Sequence, residues 1–148
     1  MIAEHVIMGC KKCHVKNRVP LERIDDGPNC GKCGSQLSME QLSRPLNVTD
    51  ESFDREVFGS SLPVVVDCWA PWCGPCRVVG PVLDQLAQTY RGRAKIVKLN
   101  LDENPLIGSR YSITSVPTMF LVKNGKIVDT LLGALQKEQL ESHIARIL

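Results

Sequence analysis

Aromatic residues and long apolar runs are scarce in this chain. Its 148 residues include only three Phe, two Tyr and two Trp. No apolar stretch approaches the roughly 18 residues that a membrane-spanning helix needs. The start of the chain lacks both the basic region of a secretion signal and the Arg- and Ser-rich pattern of an organelle transit peptide. We therefore expect a cytoplasmic protein with no membrane partner.

A surplus of charge of either sign is also missing. The chain has 18 Lys and Arg residues against 16 Asp and Glu residues, which gives a formal net charge of +2. So small a surplus gives no electrostatic reason to expect a nucleic acid as partner. The length and the ordinary composition, 43% hydrophobic and 23% charged, predict one domain, or one domain with a small appendage. We expect a monomer.

Cysteine, in contrast, is frequent, with seven residues in all. Cys68 stands alone, and the other six form three C-x-x-C pairs: Cys10/Cys13, Cys30/Cys33 and Cys73/Cys76. Structural disulfides are rare in the cytoplasm. In a reducing compartment, pairs with this spacing are typically metal ligands or redox centres.

Residues 1–43 differ in character from the rest of the chain. They hold four of the cysteines, no aromatic residue, few aliphatic residues, and several Pro and Gly that interrupt any periodicity. Such a segment is too poor in apolar residues to build a core of its own. We therefore predict an N-terminal module at 1–43, which ends in a polar connector, and a compact α/β domain at 44–148.

The second segment has the alternating pattern of an α/β domain. Apolar periodicity and turn residues predict strands at 46–48, 62–69, 95–101, 118–123 and 127–132, and helices through 53–58, 73–90, 104–111 and 136–148. The run at 62–69 is apolar except for one Asp, which is typical of a strand buried on both faces. Asn124-Gly125 is a strong hairpin signal between the last two strands.

The third cysteine pair lies between a predicted buried strand and a long helix. Unpaired N–H groups at a helix N-terminus stabilise an anion and so lower the pKa of a thiol placed there. We expect Cys73 to be exposed at this terminus and Cys76, one turn later, to point inward. Gly74 is interpreted as allowing a tight turn, and Pro75 fixes the backbone of the first helical turn.

This placement predicts thiol–disulfide exchange. Cys73 attacks a substrate disulfide to form a mixed disulfide, and Cys76 resolves it and releases the reduced substrate. Two structural cysteines would be the alternative, but C-x-x-C at a strand-to-helix junction is typical of a thioredoxin-like redox motif. Two further hypotheses remain: an oxidase that donates disulfides, and a binding or chaperone module in which the pair is incidental.

The WAPWCGPC block at 69–76 resembles the active-site signature of the thioredoxin family, and the resemblance extends over about residues 44–148. It implies the thioredoxin fold, an α/β fold with a central mixed sheet flanked by helices. It also implies a protein-disulfide reductase whose partners are disulfide-containing client proteins and an NADPH-dependent thioredoxin reductase. No organic cofactor is expected to be bound.

The same resemblance assigns roles to two charged residues near the cysteines. Asp67 matches the family's buried aspartate, which takes or relays the proton of Cys76 during resolution. Lys98 matches a lysine placed near that aspartate. Cys68 departs from the family's usual aromatic residue, and we interpret it as a small buried hydrophobic side chain.

A substrate-binding surface is also implied by the resemblance. Trp72 matches an active-site tryptophan, and Val116-Pro117 matches the family's cis-proline loop, in which the residue before the proline pairs with substrate backbone. Gly133-Ala134 matches the turn beside the substrate groove. From the residues alone, Pro117 would be a trans proline in a turn and Gly133 a strand terminator.

The four N-terminal cysteines have the spacing of a zinc site. Cys10-x2-Cys13 and Cys30-x2-Cys33 are separated by sixteen residues, which fits the C-x2-C…C-x2-C pattern. Four thiolates give the closed tetrahedral coordination of a structural zinc ion, and the metal would supply folding energy that this segment lacks. We predict one zinc ion in a zinc-ribbon-like module. With this module, the whole chain resembles the bacterial zinc-containing thioredoxins.

Other interpretations of these cysteines stay open at this point. They include two structural disulfides, a second redox centre, and zinc coordination in which His14 replaces one cysteine. The sequence Cys10-Lys11-Lys12-Cys13-His14 also matches the C-x-x-C-H motif of c-type haem attachment, although that would leave Cys30 and Cys33 without a role.

The module itself could stabilise the reductase domain, sense oxidants or dock a partner. A nucleic-acid role is a fourth hypothesis, which charge opposes. Residues 1–43 carry six Lys and Arg and five Asp and Glu. A zinc tetrathiolate adds two negative charges, so the loaded module is close to −1, which is unfavourable for binding phosphates.

Overall fold

The computed structural model describes residues 5–148; residues 1–4, the start of the predicted N-terminal module, lie outside the described residues. The described chain contains a two-stranded sheet and a five-stranded sheet. The strands are β1 (His5–Gly9), β2 (Lys16–Pro20), β3 (Leu46–Val48), β4 (Val64–Trp69), β5 (Lys95–Asn100), β6 (Thr118–Lys123) and β7 (Lys126–Leu132). The α-helices are α1 (Gly74–Thr89), α2 (Pro105–Arg110) and α3 (Lys137–Ala145).

The five-stranded sheet is mixed and has the strand order β3-β5-β4-β6-β7. β3, β5 and β4 are parallel to one another, whereas β6 and β7 are antiparallel to their neighbours. β4 is the central strand, and its first five residues are buried. Four residues separate the carboxyl end of this strand from the start of α1, and the third cysteine pair lies at this junction.

Two apolar layers cover the two faces of this sheet. Alternation along β4 sends Val65 to one face and Val64 and Val66 to the other. The first layer is formed with α1 and α3, and the second with α2 and the segment around Phe53. The predicted fold, a central mixed sheet flanked by helices, is therefore confirmed.

Most predicted elements form close to their expected bounds. The Asn124-Gly125 hairpin is confirmed, and both turn residues have positive φ, +53° and +75°, as a tight two-residue turn requires. The predicted helix through 53–58 is instead a single π-helical turn at Asp54–Phe58. A turn precedes it, in which the Ser52 hydroxyl accepts the Thr49 N–H at 2.9 Å.

The N-terminal segment contains structure that the sequence analysis did not predict. β1 and β2 form an antiparallel sheet, in which Ile7 pairs with Arg18. One face of this sheet buries Val6, Met8 and Val19. These side chains pack with Leu62, which precedes β4, so the segment does share a small core with the rest of the chain.

The N-terminal segment meets the remainder of the chain at the turn after α1. Ile24, in the 3₁₀ helix Leu21–Asp26, lies against Gly92, and a Cβ on Gly92 would overlap its side chain. Arg91 forms an ion pair with Asp25 at 2.8 Å. This contact lies beyond the C-terminal end of α1, whereas the third cysteine pair lies at its N-terminal end.

None of the helices within residues 5–148 combines the length and the apolar character that crossing a membrane would require.

Candidate active site and metal centre

The third cysteine pair sits at the junction that the sequence predicts. Cys73 is the N-cap of α1, and its Sγ accepts the Cys76 backbone N–H at 3.1 Å. The two cysteines form a disulfide with their Cα atoms 5.3 Å apart. Pro75 occupies the first turn of the helix. A thiolate at Cys73 would therefore be stabilised by the helix N-terminus and by one aligned N–H donor.

Two details of this pair differ from expectation. Cys73 is buried, with 3% of its surface exposed, because it packs against Ala70, Cys76 and the neighbouring Val116. The predicted exposure of Cys73 is therefore wrong for the disulfide form. A Cβ on Gly74 would meet no atom within 4 Å, and its φ is not positive. Local backbone geometry thus does not require a glycine at this position.

Asp67 is buried in β4 and lacks partners. Only 1% of its surface is exposed, and no described residue donates a hydrogen bond to either carboxylate oxygen. Alternation along the strand turns it to the same side as Val65, towards the layer that contains α1. Burial raises the pKa of Asp67 to about 6, and the positive charge of Lys98 limits that rise. This carboxyl therefore exchanges a proton close to neutral pH.

Lys98 lies next to Asp67 on the adjacent strand. The two residues are partners in register between β4 and β5. The Lys98 ammonium also lies 5.0 Å from the centre of the Trp69 ring, where a cation–π attraction applies. The structure thus places a cation, an indole and a buried carboxyl together, and it includes the proximity of Lys98 to Asp67 that the resemblance implies.

The Val116–Pro117 peptide bond is cis. This agrees with the resemblance and corrects the trans bond that the residues alone would suggest. Val116 packs on the cluster formed by Cys73, Cys76 and Ala70. The Pro117 carbonyl accepts the Gly133 N–H at 2.9 Å, and Gly133 has a φ of +85°, which favours glycine. The loop at Pro117 and the turn at Gly133-Ala134 are thereby brought together beside the cysteines.

Trp72 is the most exposed large apolar residue among the described residues, with 71% of its surface accessible. Its indole Nε1 donates to an oxygen of Asp102 at 3.3 Å, which ties the side chain to the loop after β5. The sequence analysis did not single out Asp102. The sequence did contain a signal for Asp102, because the parallel strands β4 and β5 end at the same edge of the sheet. The segments that follow them, which carry Trp72 and Asp102, therefore lie close together.

Cys68 is buried, and its thiol is not reactive. It shows no exposed surface and packs with the layer on the far side of the sheet from Val65. Burial, with the nearby charge of Asp67, raises the pKa of the Cys68 thiol to about 12. The interpretation of Cys68 as a small buried hydrophobic side chain is confirmed.

The four N-terminal cysteines converge on one point. Their Sγ atoms all lie within 4.8 Å of one another. The Cys10–Cys33 and Cys13–Cys30 sulfur separations are 3.5 and 3.6 Å. A tetrahedral zinc ion with Zn–S bonds of about 2.3 Å would hold its sulfurs about 3.8 Å apart. The donor set and its spacing therefore fit a tetrathiolate zinc ion.

Two similar loops carry these cysteines. The N–H of His14 bonds the Cys10 carbonyl at 2.9 Å, and the N–H of Gly34 bonds the Cys30 carbonyl at the same distance. His14 and Gly34 occupy equivalent left-handed positions, with φ of +65° and +77°. His14 is not a member of the cluster. A backbone hydrogen bond from Cys33, with a further one from Lys32, lowers the pKa of the Cys30 thiol to about 6, although burial acts in the opposite direction.

Comparison with known proteins agrees with both halves of this description. The thioredoxin family model matches residues 44–146, and a zinc-ribbon model described as thioredoxin 2, N-terminal, matches residues 9–35. Thioredoxin 1 of Nostoc sp. is 50% identical over 107 residues, which are 70% of this chain and all of that protein. Thioredoxin 1 of Synechococcus elongatus is 55% identical over 93 residues, 63% of this chain and 87% of that protein.

A more distant relative gives the same result. Thioredoxin of Haemophilus influenzae is 45% identical over 103 residues, which are 70% of this chain and 96% of that protein. The matched regions include the cysteine pair at the start of α1 and the sheet that carries it. The chain therefore belongs to the thioredoxin family and is a protein-disulfide reductase.

Proposed function

We propose that Cys73 is the attacking thiol and Cys76 the resolving thiol in the reduction of protein disulfides. The observation that carries this assignment is the position of Cys73 at the N-cap of α1, where its sulfur accepts the Cys76 N–H. Both cysteines are buried in the disulfide form, but Cys76 lies inside the first helical turn and its own backbone N–H is directed at the Cys73 sulfur. Of the two sulfurs, Cys73 is therefore better placed to be a thiolate that meets a client.

The reaction takes two exchanges. The Cys73 thiolate attacks one sulfur of a client disulfide, which forms a mixed disulfide and releases the other client sulfur as a thiolate that takes up a proton. Cys76, after losing its proton, then attacks the Cys73 sulfur and releases the second client thiol. The client gains two electrons and two protons, and the chain is left with the Cys73–Cys76 disulfide. A thioredoxin reductase, supplied by NADPH, returns this disulfide to the dithiol.

Asp67 is the proposed proton acceptor for Cys76. It faces the layer that contains α1, carries no competing hydrogen bond among the described residues, and has a pKa of about 6. A carboxyl with these properties is ionised at neutral pH and can take a thiol proton directly or through water. The positive charge of Lys98 would keep the pKa of this carboxyl from rising further.

We further propose that the client backbone is held between the indole of Trp72, the cis-proline loop and the Gly133-Ala134 turn. These three parts surround the buried pair: Trp72 is exposed, and Val116 contacts the cysteines. The bond between Gly133 and Pro117 fixes the loop and the turn relative to each other. Gly74 would leave room for the approaching client, since nothing lies near the position of a Cβ there.

One zinc ion, held by Cys10, Cys13, Cys30 and Cys33, completes the proposal. The ion would fold the N-terminal module, 1–43, which docks on the reductase domain, 44–148. Its role is structural rather than catalytic. The module contacts Leu62, which precedes β4, and Cys73 lies beyond the other end of that strand, so about 20 Å of strand separates them. A monomer in the cytoplasm remains our expectation.

Trapping of clients tests the assignment of the two sulfurs. The Cys76→Ser variant is expected to retain a client as a stable mixed disulfide through Cys73, because the resolving sulfur is missing. The Cys73→Ser variant should retain none, and Cys68→Ser, on the buried far side of the sheet, should release clients normally. Non-reducing electrophoresis after mixing with a disulfide-containing protein is the measurement. Trapping by Cys73→Ser instead would reverse the two roles.

A further inference from the structure

A cleft of about 530 Å³ lies between the N-terminal sheet and the reductase domain. Its lining includes Leu62, which precedes β4, and it does not include Cys73 or Cys76. The cleft is therefore separate from the site of disulfide exchange. Its volume falls in the range of about 300–1,000 Å³ that is typical of small-molecule sites.

One wall of the cleft is the face of the β1–β2 sheet that does not carry the buried side chains. Because side chains alternate along a strand, the burial of Val6, Met8 and Val19 on one face turns Ile7 and Arg18 to the other. These two are direct partners across the sheet, and both line the cleft. Half of the Ile7 surface is exposed. This wall therefore offers an apolar side chain next to a cation.

The opposite wall belongs to the reductase domain and has an apolar base. Leu46 of β3, Ala87 of α1 and Ile96 of β5 line it. Leu46 is 39% exposed, so that Ile7 and Leu46, two of the exposed large apolar residues of the chain, both open onto the same cleft. Exposed apolar surface gathered in a concave site is typical of ligand binding.

The charged residues that line the cleft are mostly positive. Among the described residues the lining has one carboxylate, Glu56, and five cations: Lys16, Arg18, Arg44, Arg55 and Lys95. Glu56 pairs with Lys95 at 2.7 Å and with Arg55 at 3.4 Å. Arg44 pairs with Glu40 at 2.5 Å. Within residues 5–148, Lys16 and Arg18 have no such partner, and both are exposed.

We propose that this cleft binds a free amphipathic organic anion, such as a carboxylate with an aliphatic body. The carboxylate would pair with Lys16 and Arg18, and the apolar body would cover Ile7 and Leu46. Because the two walls belong to the N-terminal sheet and to the reductase domain, the ligand would join them. This site is independent of the disulfide chemistry, and its occupancy needs neither Cys73 nor Cys76.

Decanoate is the probe for the test, with decanol as its uncharged counterpart. Titration into the full-length, zinc-loaded protein, followed by ¹⁵N–¹H correlation spectra, should shift the amides of Ile7, Arg18 and Leu46, and decanol should bind more weakly. Pairing with a cation is worth enough that the Lys16→Gln/Arg18→Gln variant should bind decanoate about tenfold more weakly.

The control is Lys126→Gln/Arg146→Gln, which removes the same two residue types from exposed positions outside the cleft. It should bind decanoate with unchanged affinity, and both variants should reduce insulin at the normal rate. The proposal would be overturned by an equal loss of decanoate affinity in the two variants or by equal affinities of the wild type for decanoate and decanol. Amide shifts confined to the surroundings of Trp72 would also overturn it. Binding that arises only after deletion of residues 1–4 would also overturn it, because the cleft would then belong to the chain's own N-terminus.

Discussion

Asp67 and Lys98 are partners in register on adjacent parallel strands, yet the Asp67 carboxylate receives no hydrogen bond from any described residue. The pair is thus coupled through charge alone. Burial opposes ionisation of Asp67, Lys98 favours it, and burial prevails, so the pKa settles at about 6. A protein that only needed stability would gain by removing this carboxyl, which makes its presence an argument for a role in proton transfer.

Asp67→Asn should therefore stabilise the protein in a pH-dependent way. Between about pH 4 and 6, the folded carboxyl keeps a proton that the unfolded chain has released, so stability falls as the pH rises through this window. Above it, the variant should gain up to about 3 kcal/mol relative to its gain at pH 4. Urea unfolding at pH 4 and pH 8 measures this, with exposed Asp84→Asn as control. A gain that does not change with pH would contradict the account.

Zinc removal is expected to unfold the N-terminal module and to leave the five-stranded sheet folded. The four sulfurs lie within 4.8 Å of one another, and the module shares a small core with Leu62 from the rest of the chain. The Cys10→Ser and Cys30→Ser variants should lose zinc, whereas Cys68→Ser should keep one ion per chain. Zinc content, circular dichroism and limited proteolysis provide the measurements. Retention of zinc by either ligand variant would contradict the assignment.

Gly92→Ala tests the contact between the module and the turn after α1. Gly92 has a φ of +78°, and a Cβ there would overlap Ile24. Gly133→Ala is the matched control, because Gly133 also has positive φ, +85°, but no atom lies near its Cβ position. The control should lose about 1 kcal/mol from its backbone alone, and Gly92→Ala about 1–3 kcal/mol more from overpacking. Equal losses of unfolding free energy in the two variants, measured by chemical unfolding, would mean that the contact with Ile24 does not contribute to stability.

The sequence predicts the reductase domain well because its signals are local. The buried strand at 64–69 and the Asn124-Gly125 turn are short patterns whose physical meaning does not depend on distant residues. The cysteine pair at the helix start is of the same kind. The cluster of four N-terminal cysteines is predictable for a similar reason, because two C-x-x-C pairs at this separation are typical of a tetrathiolate zinc site.

The remaining features depend on parts of the chain that meet only in the folded structure. The β1–β2 sheet has no aromatic residue and only three β-branched ones, Val6, Ile7 and Val19, and Leu62, from outside the segment, completes its core. The hydrogen bond between Trp72 and Asp102 joins residues 30 positions apart. Burial of Cys73 depends in part on Val116, which comes from a distant part of the chain. No local pattern in the sequence contains these contacts.

The most direct measurement of the central claim is NADPH consumption during insulin reduction in the presence of thioredoxin reductase. The wild-type chain and Cys68→Ser should both turn over, and Cys73→Ser should lose turnover completely, because no other cysteine among the described residues is the N-cap of an α-helix. Continued turnover by Cys73→Ser, or none by the wild type, would contradict the account of a disulfide reductase that acts through Cys73.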